Sequence, residues 1–193
     1  DEFRIATPNA YFVALLSRFE KTWANRVGSA NTTSESSSIC SASVWPASVT
    51  KSFVGLMAAI LVHEGRIDHN ALVTQYIPEL ADTAYGDATV RQVMDMTIGV
   101  QYSENYTDAN AEVRAYGIAA GFSPPPPGYA GPDTIFDFLR TLKKQGEHGQ
   151  AFAYKTCNTE VLSWIVQRVT DTPMAQLLSE RIWQKLGVEE DAH

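Results

Sequence analysis

The chain has 193 residues, 45% of them hydrophobic and 19% charged, which is the balance of a folded protein with room for one sizeable core or two small ones. A formal net charge of −7 and the lack of any Lys/Arg cluster exclude the electrostatic footprint of a nucleic-acid or anionic-membrane binder. Cys40 and Cys157 form no C-x-x-C pair, so neither a disulfide framework nor a structural zinc site is supported.

The N-terminal stretch DEFRIATPNAYFVALLSRFEKTW has no basic n-region and no small-residue cleavage site of a signal peptide. Location stays open on this evidence, tilting towards the cytoplasm. Residues 11–17, YFVALLS, read as a buried strand, and RFEKTWANRV allows a turn and a second strand with Trp23 and Val27 inward. Gly28 to Ser43 is dominated by Ser, Thr and Asn and reads as a long surface loop.

From Pro46 the pattern turns helical. A helix is expected from about Ser48 to His63, stopped by Gly65. Its longest apolar run, Phe53 to Val62, is about half of the ~20 residues a membrane span needs and marks a buried core helix. DHNALVTQYIPEL reads as a turn-rich connector. ATVRQVMDMTIG places Val90, Val93, Met94 and Met96 or Thr97 at helical spacing, giving a second helix closed by Gly99 and packed on the first. Val100 to Pro132 is expected to be mostly loop, with SPPPPG at 123–128 a stiff polyproline segment. PDTIFDFLRTLKKQG then supplies a helix with Ile135, Phe138, Leu139 and Leu142 inward. NTEVLSWIVQRVT and TPMAQLLSERIWQKLG supply two more, the last with Pro173 in its first turn and Gly187 as its stop.

Chemistry concentrates at Ser48 and Lys51. On a helix, residues three apart share a face, so the two side chains can touch. A serine becomes a nucleophile when a neighbouring base takes its proton, and burial is what makes a lysine such a base. A serine in the first turn also has free backbone N–H groups and the positive dipole end beside it, which favour an oxyanion. The plainer alternative is an N-cap serine followed by a lysine whose head reaches water.

Three longer segments surround that tetrapeptide: SVTKSFVG, then LVHEGRIDHNALVTQYIPEL, then ATVRQVMDMTIGVQYSENY. With TIFDFLRTLKKQGEHGQAFAYKTCNTEVLSWIVQRVT and LGVEEDAH they resemble, over about Ala47 to His193, the serine β-lactamase and penicillin-binding-protein superfamily in its class C and esterase branch, near the group of 6-aminohexanoate-dimer hydrolases. The resemblance implies an α+β, β-lactamase/transpeptidase-like fold. Residues 1–46 would hold a strand pair and a Ser-rich loop, 47–193 most of the helical region, and the antiparallel sheet would be incomplete.

It also implies that Ser48 is the acyl-enzyme nucleophile, Lys51 the general base and Tyr154, in FAYKTCN, the tyrosine that relays the proton to the leaving group. Without the resemblance Tyr154 reads as a half-buried tyrosine with one hydrogen bond. Asn158 would orient the lysine or the substrate carbonyl, or else cap the helix TEVLSWIV. Tyr106, in YSENYTD, corresponds to a tyrosine on a substrate-covering loop that helps an amide leaving group depart, while the nearby position that is acidic in such enzymes corresponds to Gly117.

Competing motifs fail: HEGRIDH has Ile67 where a zincin needs its second histidine, and there is no G-x-S-x-G, Walker or G-x-G-x-x-G sequence. The superfamily's third motif, a K-T-G-like or H-G-x-like triplet, does not follow Tyr154. The activity the resemblance implies is hydrolysis of a small-molecule ester or amide, with no metal or organic cofactor. The competing expectation is a non-catalytic fragment or penicillin-recognising binding module that keeps the S-x-x-K motif without turnover.

Overall fold

The computed structural model describes residues 44–186, with side chains from Val49 onward. The strand pair expected over 11–27, the Ser-rich loop and Gly187 lie outside the described residues. Helix α1, Val44–His63, starts four residues ahead of Ser48. Pro46 is compatible with that earlier start, because a helix's first N–H groups have no partner within it and proline has no N–H to lose. Ser48 and Lys51 are thus interior to α1, and the first-turn position expected for Ser48 is corrected.

The buried stripe of α1 is Val54, Met57, Ala58 and Leu61, at the i, i+3, i+4, i+7 spacing of one helical face. The helix stops at a Schellman turn. Arg66 N–H donates to Leu61 O at 2.9 Å, Gly65 N–H to Val62 O at 3.0 Å, and Gly65 takes φ +70°, which a residue with a Cβ rarely adopts.

The connector contains a short helix α2, Val73–Tyr76, and a 3₁₀ turn, Pro78–Leu80. Helix α3 is only Val90–Met94, opened by a capping box between Thr89 and Gln92. It ends before Met96, whose φ of 55° turns the chain out of the helix. The closing role expected of Gly99 is also corrected: a Cβ there would lie 2.6 Å from Gly146 O, so the glycine answers a close approach of the 145–146 backbone. Helix α4, Glu112–Ala119, stands inside the stretch expected to be loop, with Val113, Tyr116 and Ala119 buried. SPPPPG is exposed and without regular structure, as expected.

Helix α5, Ile135–Thr141, buries Phe138 and Leu139. Helix α6, Thr156–Thr170, is the hub. It packs on α1, α2, α3 and α5 and on α7, Met174–Leu178, for which Pro173 is the N-cap. The main partner of α3 is therefore α6, not α1 as expected. From α7 the chain runs through a π turn, Ser179–Trp183, into α8, Gln184–Leu186. Asn158, Val161, Leu162, Ile165 and Val166 form the buried face of α6, again at helical spacing. Among the described residues pairing of β type is limited to two isolated bridges, Leu72 with Thr89 and Val100 with Lys144. None of the described helices is long and apolar enough to cross a membrane.

Candidate active site

The packing of α1 on α6 brings Lys51 and Tyr154 together from opposite ends of the chain. Tyr154 precedes α6 by two residues, in a segment sewn to the loop after α3. Ala153 N–H donates to Met96 O at 2.8 Å, Gly149 N–H to Thr97 O at 2.8 Å, and Lys155 Nζ donates to Val100 O. Met96 supports this seam from an uncommon left-handed backbone, a conformation that costs about 1–2 kcal/mol and persists only where surrounding bonds hold it.

The ammonium of Lys51 lies 5.2 Å from the centroid of the Tyr154 ring, within the ~6 Å over which a cation is drawn to an aromatic face. Lys51 is half-buried and Tyr154 is 43% exposed, so a ligand can reach the phenol beside the cation. The backbone of Ser48 lies one helical turn ahead of Lys51 on α1.

Tyr106 projects from the loop between α3 and α4 and is 54% exposed. Its hydroxyl donates to Glu104 Oε2 at 2.8 Å, and the other oxygen of Glu104 accepts the backbone N–H of Thr156, the first residue of α6. Arg114 holds the Tyr106 carbonyl, and Ser103 N–H donates to Glu112 Oε2 at 2.9 Å. Partial desolvation, then the Glu104 carboxylate, push the Tyr106 phenol up to about 12; the Tyr154 phenol adds to the effect. Glu104 was not visible as a site residue in the sequence, the one signal being a carboxylate two positions before Tyr106.

Asn158 is placed differently from Tyr154 and Tyr106. Its side chain is fully buried one turn into α6, where Oδ1 accepts the Tyr85 hydroxyl at 2.8 Å and Nδ2 faces Met96 Sδ at 3.6 Å. Lys155, not Asn158, is the N-cap of α6. Gly117 sits within α4, where a Cβ would meet Ser123 Oγ at 3.7 Å, an ordinary contact. Cys157 is buried and free, and burial pushes its thiol up to about 12, so it stays protonated and is no rival nucleophile. Among the described residues no group of three or more His, Cys, Asp or Glu side chains is placed to hold a metal.

The chain belongs to the beta-lactamase family, whose model matches residues 46–192. It is 41% identical over 145 residues to a 6-aminohexanoate-dimer hydrolase of Paenarthrobacter ureafaciens, a match that takes in 75% of this chain and 36% of that protein. The structure of a Bacillus anthracis protein assigned as a 6-aminohexanoate-dimer hydrolase superposes with a TM-score of 0.67 at 34% identity, covering 74% of this chain and 37% of that one. A penicillin-binding-protein homologue of Caulobacter crescentus shares the fold, with a TM-score of 0.52 at 24% identity over 72% of this chain and 33% of its own. The chain thus spans little more than a third of the relatives' length.

Proposed function

We propose that the complete protein is a serine hydrolase that cleaves an ester or amide through an acyl-enzyme on Ser48. Lys51, as the free amine, takes the Ser48 proton as Oγ attacks the carbonyl carbon; as the C–O or C–N bond breaks, Tyr154 gives its proton to the departing alcohol or amine and is reprotonated by Lys51. Water then attacks the acyl carbon by the reverse proton path and releases the acid. The observation that carries this reading is Lys51 Nζ over the Tyr154 ring at 5.2 Å. A phenol beside the base can give its proton to a leaving group and take one back. Asn158 contributes from the core, by tying the first turn of α6 to Tyr85 and Met96 just behind Tyr154.

The substrate follows from Tyr106 and Gly117. Tyr106 offers a polar contact to the leaving group, but the glycine at 117 has no carboxylate to grip a substrate ammonium. Short-chain esters are therefore expected to be cleaved faster than an aminohexanoate amide, and Gly117→Asp, which the local space admits, is expected to narrow the gap. Stopped-flow hydrolysis of a p-nitrophenyl ester by the complete protein tests the mechanism. A burst of p-nitrophenol equal to the enzyme, absent in Ser48→Ala, is the expected result. A linear trace that Ser48→Ala does not change would contradict it, and a burst without turnover would favour the binding-module reading.

A further inference from the structure

Glu104 has no part in the proposed acyl transfer, yet both its oxygens are engaged at the site. One accepts the N–H of Thr156 and the other the hydroxyl of Tyr106. A backbone N–H can only donate, and a phenol has a single proton, which here goes to the carboxylate. What the Tyr106 oxygen can still offer on its open side is lone pairs.

We propose that Glu104 is a positioning residue that sets the hydrogen-bond polarity of Tyr106, so that the phenol oxygen meets the substrate as an acceptor for the N–H of an amide leaving group. The inference rests on the acyl-enzyme reading above. An ester leaving oxygen has no hydrogen to offer and gains nothing from this acceptor, so the pair discriminates by leaving group. The loop itself has other anchors: Arg114 on the Tyr106 carbonyl, Glu112 on Ser103 N–H, and Asn105 Oδ1 accepting Thr107 N–H at 3.1 Å. The groups that act on the phenol are Glu104, the Tyr154 phenol and the Thr156 hydroxyl.

Glu104→Gln is the informative change. Its amide oxygen must face Thr156 N–H, since two donors cannot pair, so its NH₂ is directed at Tyr106 and the phenol is turned into a donor. In the complete protein, kcat/KM for an anilide is expected to fall up to about tenfold further than kcat/KM for the matched p-nitrophenyl ester. Tyr106→Phe should show the same selective loss, and the double variant no more than either single one. Tyr106→Phe leaves the Glu104–Thr156 bond in place and carries the selectivity test if the glutamine variant fails to fold.

A readout independent of activity is the titration of fluorotyrosine placed at 106, followed by ¹⁹F NMR, whose midpoint should drop by about one unit in Glu104→Gln. Equal losses on anilide and ester, additive singles, or an unmoved midpoint would overturn the proposal. Turnover that survives Ser48→Ala would instead overturn the acyl-enzyme reading, while the titration still decides the role of Glu104.

Discussion

Tyr154 and Asn158 stand four positions apart in opposite surroundings, the first exposed beside Lys51 and the second buried against Tyr85. Tyr154→Phe keeps the ring beneath the Lys51 cation but removes the proton carrier, so turnover of the complete protein is expected to fall about 10²–10⁴-fold with little change in thermal midpoint. A loss of less than threefold in a steady-state assay would remove Tyr154 from the proton path. Asn158→Ala has the opposite signature. It leaves the buried Tyr85 hydroxyl without its acceptor, and denaturant melts should show a loss of about 1–3 kcal/mol. Ser48, Lys51 and Tyr154 stood out only through the resemblance, since S-x-x-K by itself equally describes an N-cap serine and a lysine that reaches water. The burial of Asn158 was not legible, because nothing local distinguishes an asparagine that faces a cleft from one that satisfies a core tyrosine. Glu104 escaped for a related reason: a loop carboxylate has no periodicity, and its two partners are distant or irregular in sequence.

At the scale of elements, the long helices α1 and α6 were readable from their apolar spacing, and the end of α1 from Gly65. The short ones were not. Helix α3 is cut off ahead of a left-handed Met96 that the apolar spacing of Val90, Val93 and Met94 conceals, and α4 is masked by Gly117, which lowers helix propensity in an eight-residue segment. Tertiary contact decides both, since α3 leans on α6 and α4 on α5. Gly99 carries the clearest elemental prediction. Any Cβ there meets the backbone carbonyls of Gln145 and Gly146 at 2.8 and 2.6 Å, so Gly99→Ala must push the 145–149 turn away. Because that turn leads into the segment bearing Tyr154, the variant should lose both stability and activity. A melt and rate matching wild type would show that the close approach is dispensable. Leu61→Ala, in the fully buried stripe of α1, should cost about 2–5 kcal/mol by cavity formation.

Across the molecule, ion pairs join segments far apart in the sequence. Arg168 reaches Glu79 through two bonds, at 2.9 and 2.5 Å, and holds its carboxyl below the ordinary range. Lys144 and then His148 do the same for Asp87. A carboxylate whose folded-state pKa is depressed contributes stability above its unfolded value, and that contribution is lost as pH falls through the lower folded value. The thermal midpoint should therefore drop as pH falls below about 4, and Glu79→Gln should flatten that acid limb while changing little at pH 7. An unchanged acid limb would show that these exposed pairs are energetically silent. The central claim is chemical, that one serine among the many is activated by the lysine one turn on. Its most direct measurement is labelling of the complete protein with a fluorophosphonate, followed by peptide mass mapping. Modification confined to Ser48 and suppressed in Lys51→Ala is the expected result, and modification at another residue, or at an undiminished level in Ser48→Ala, would contradict it.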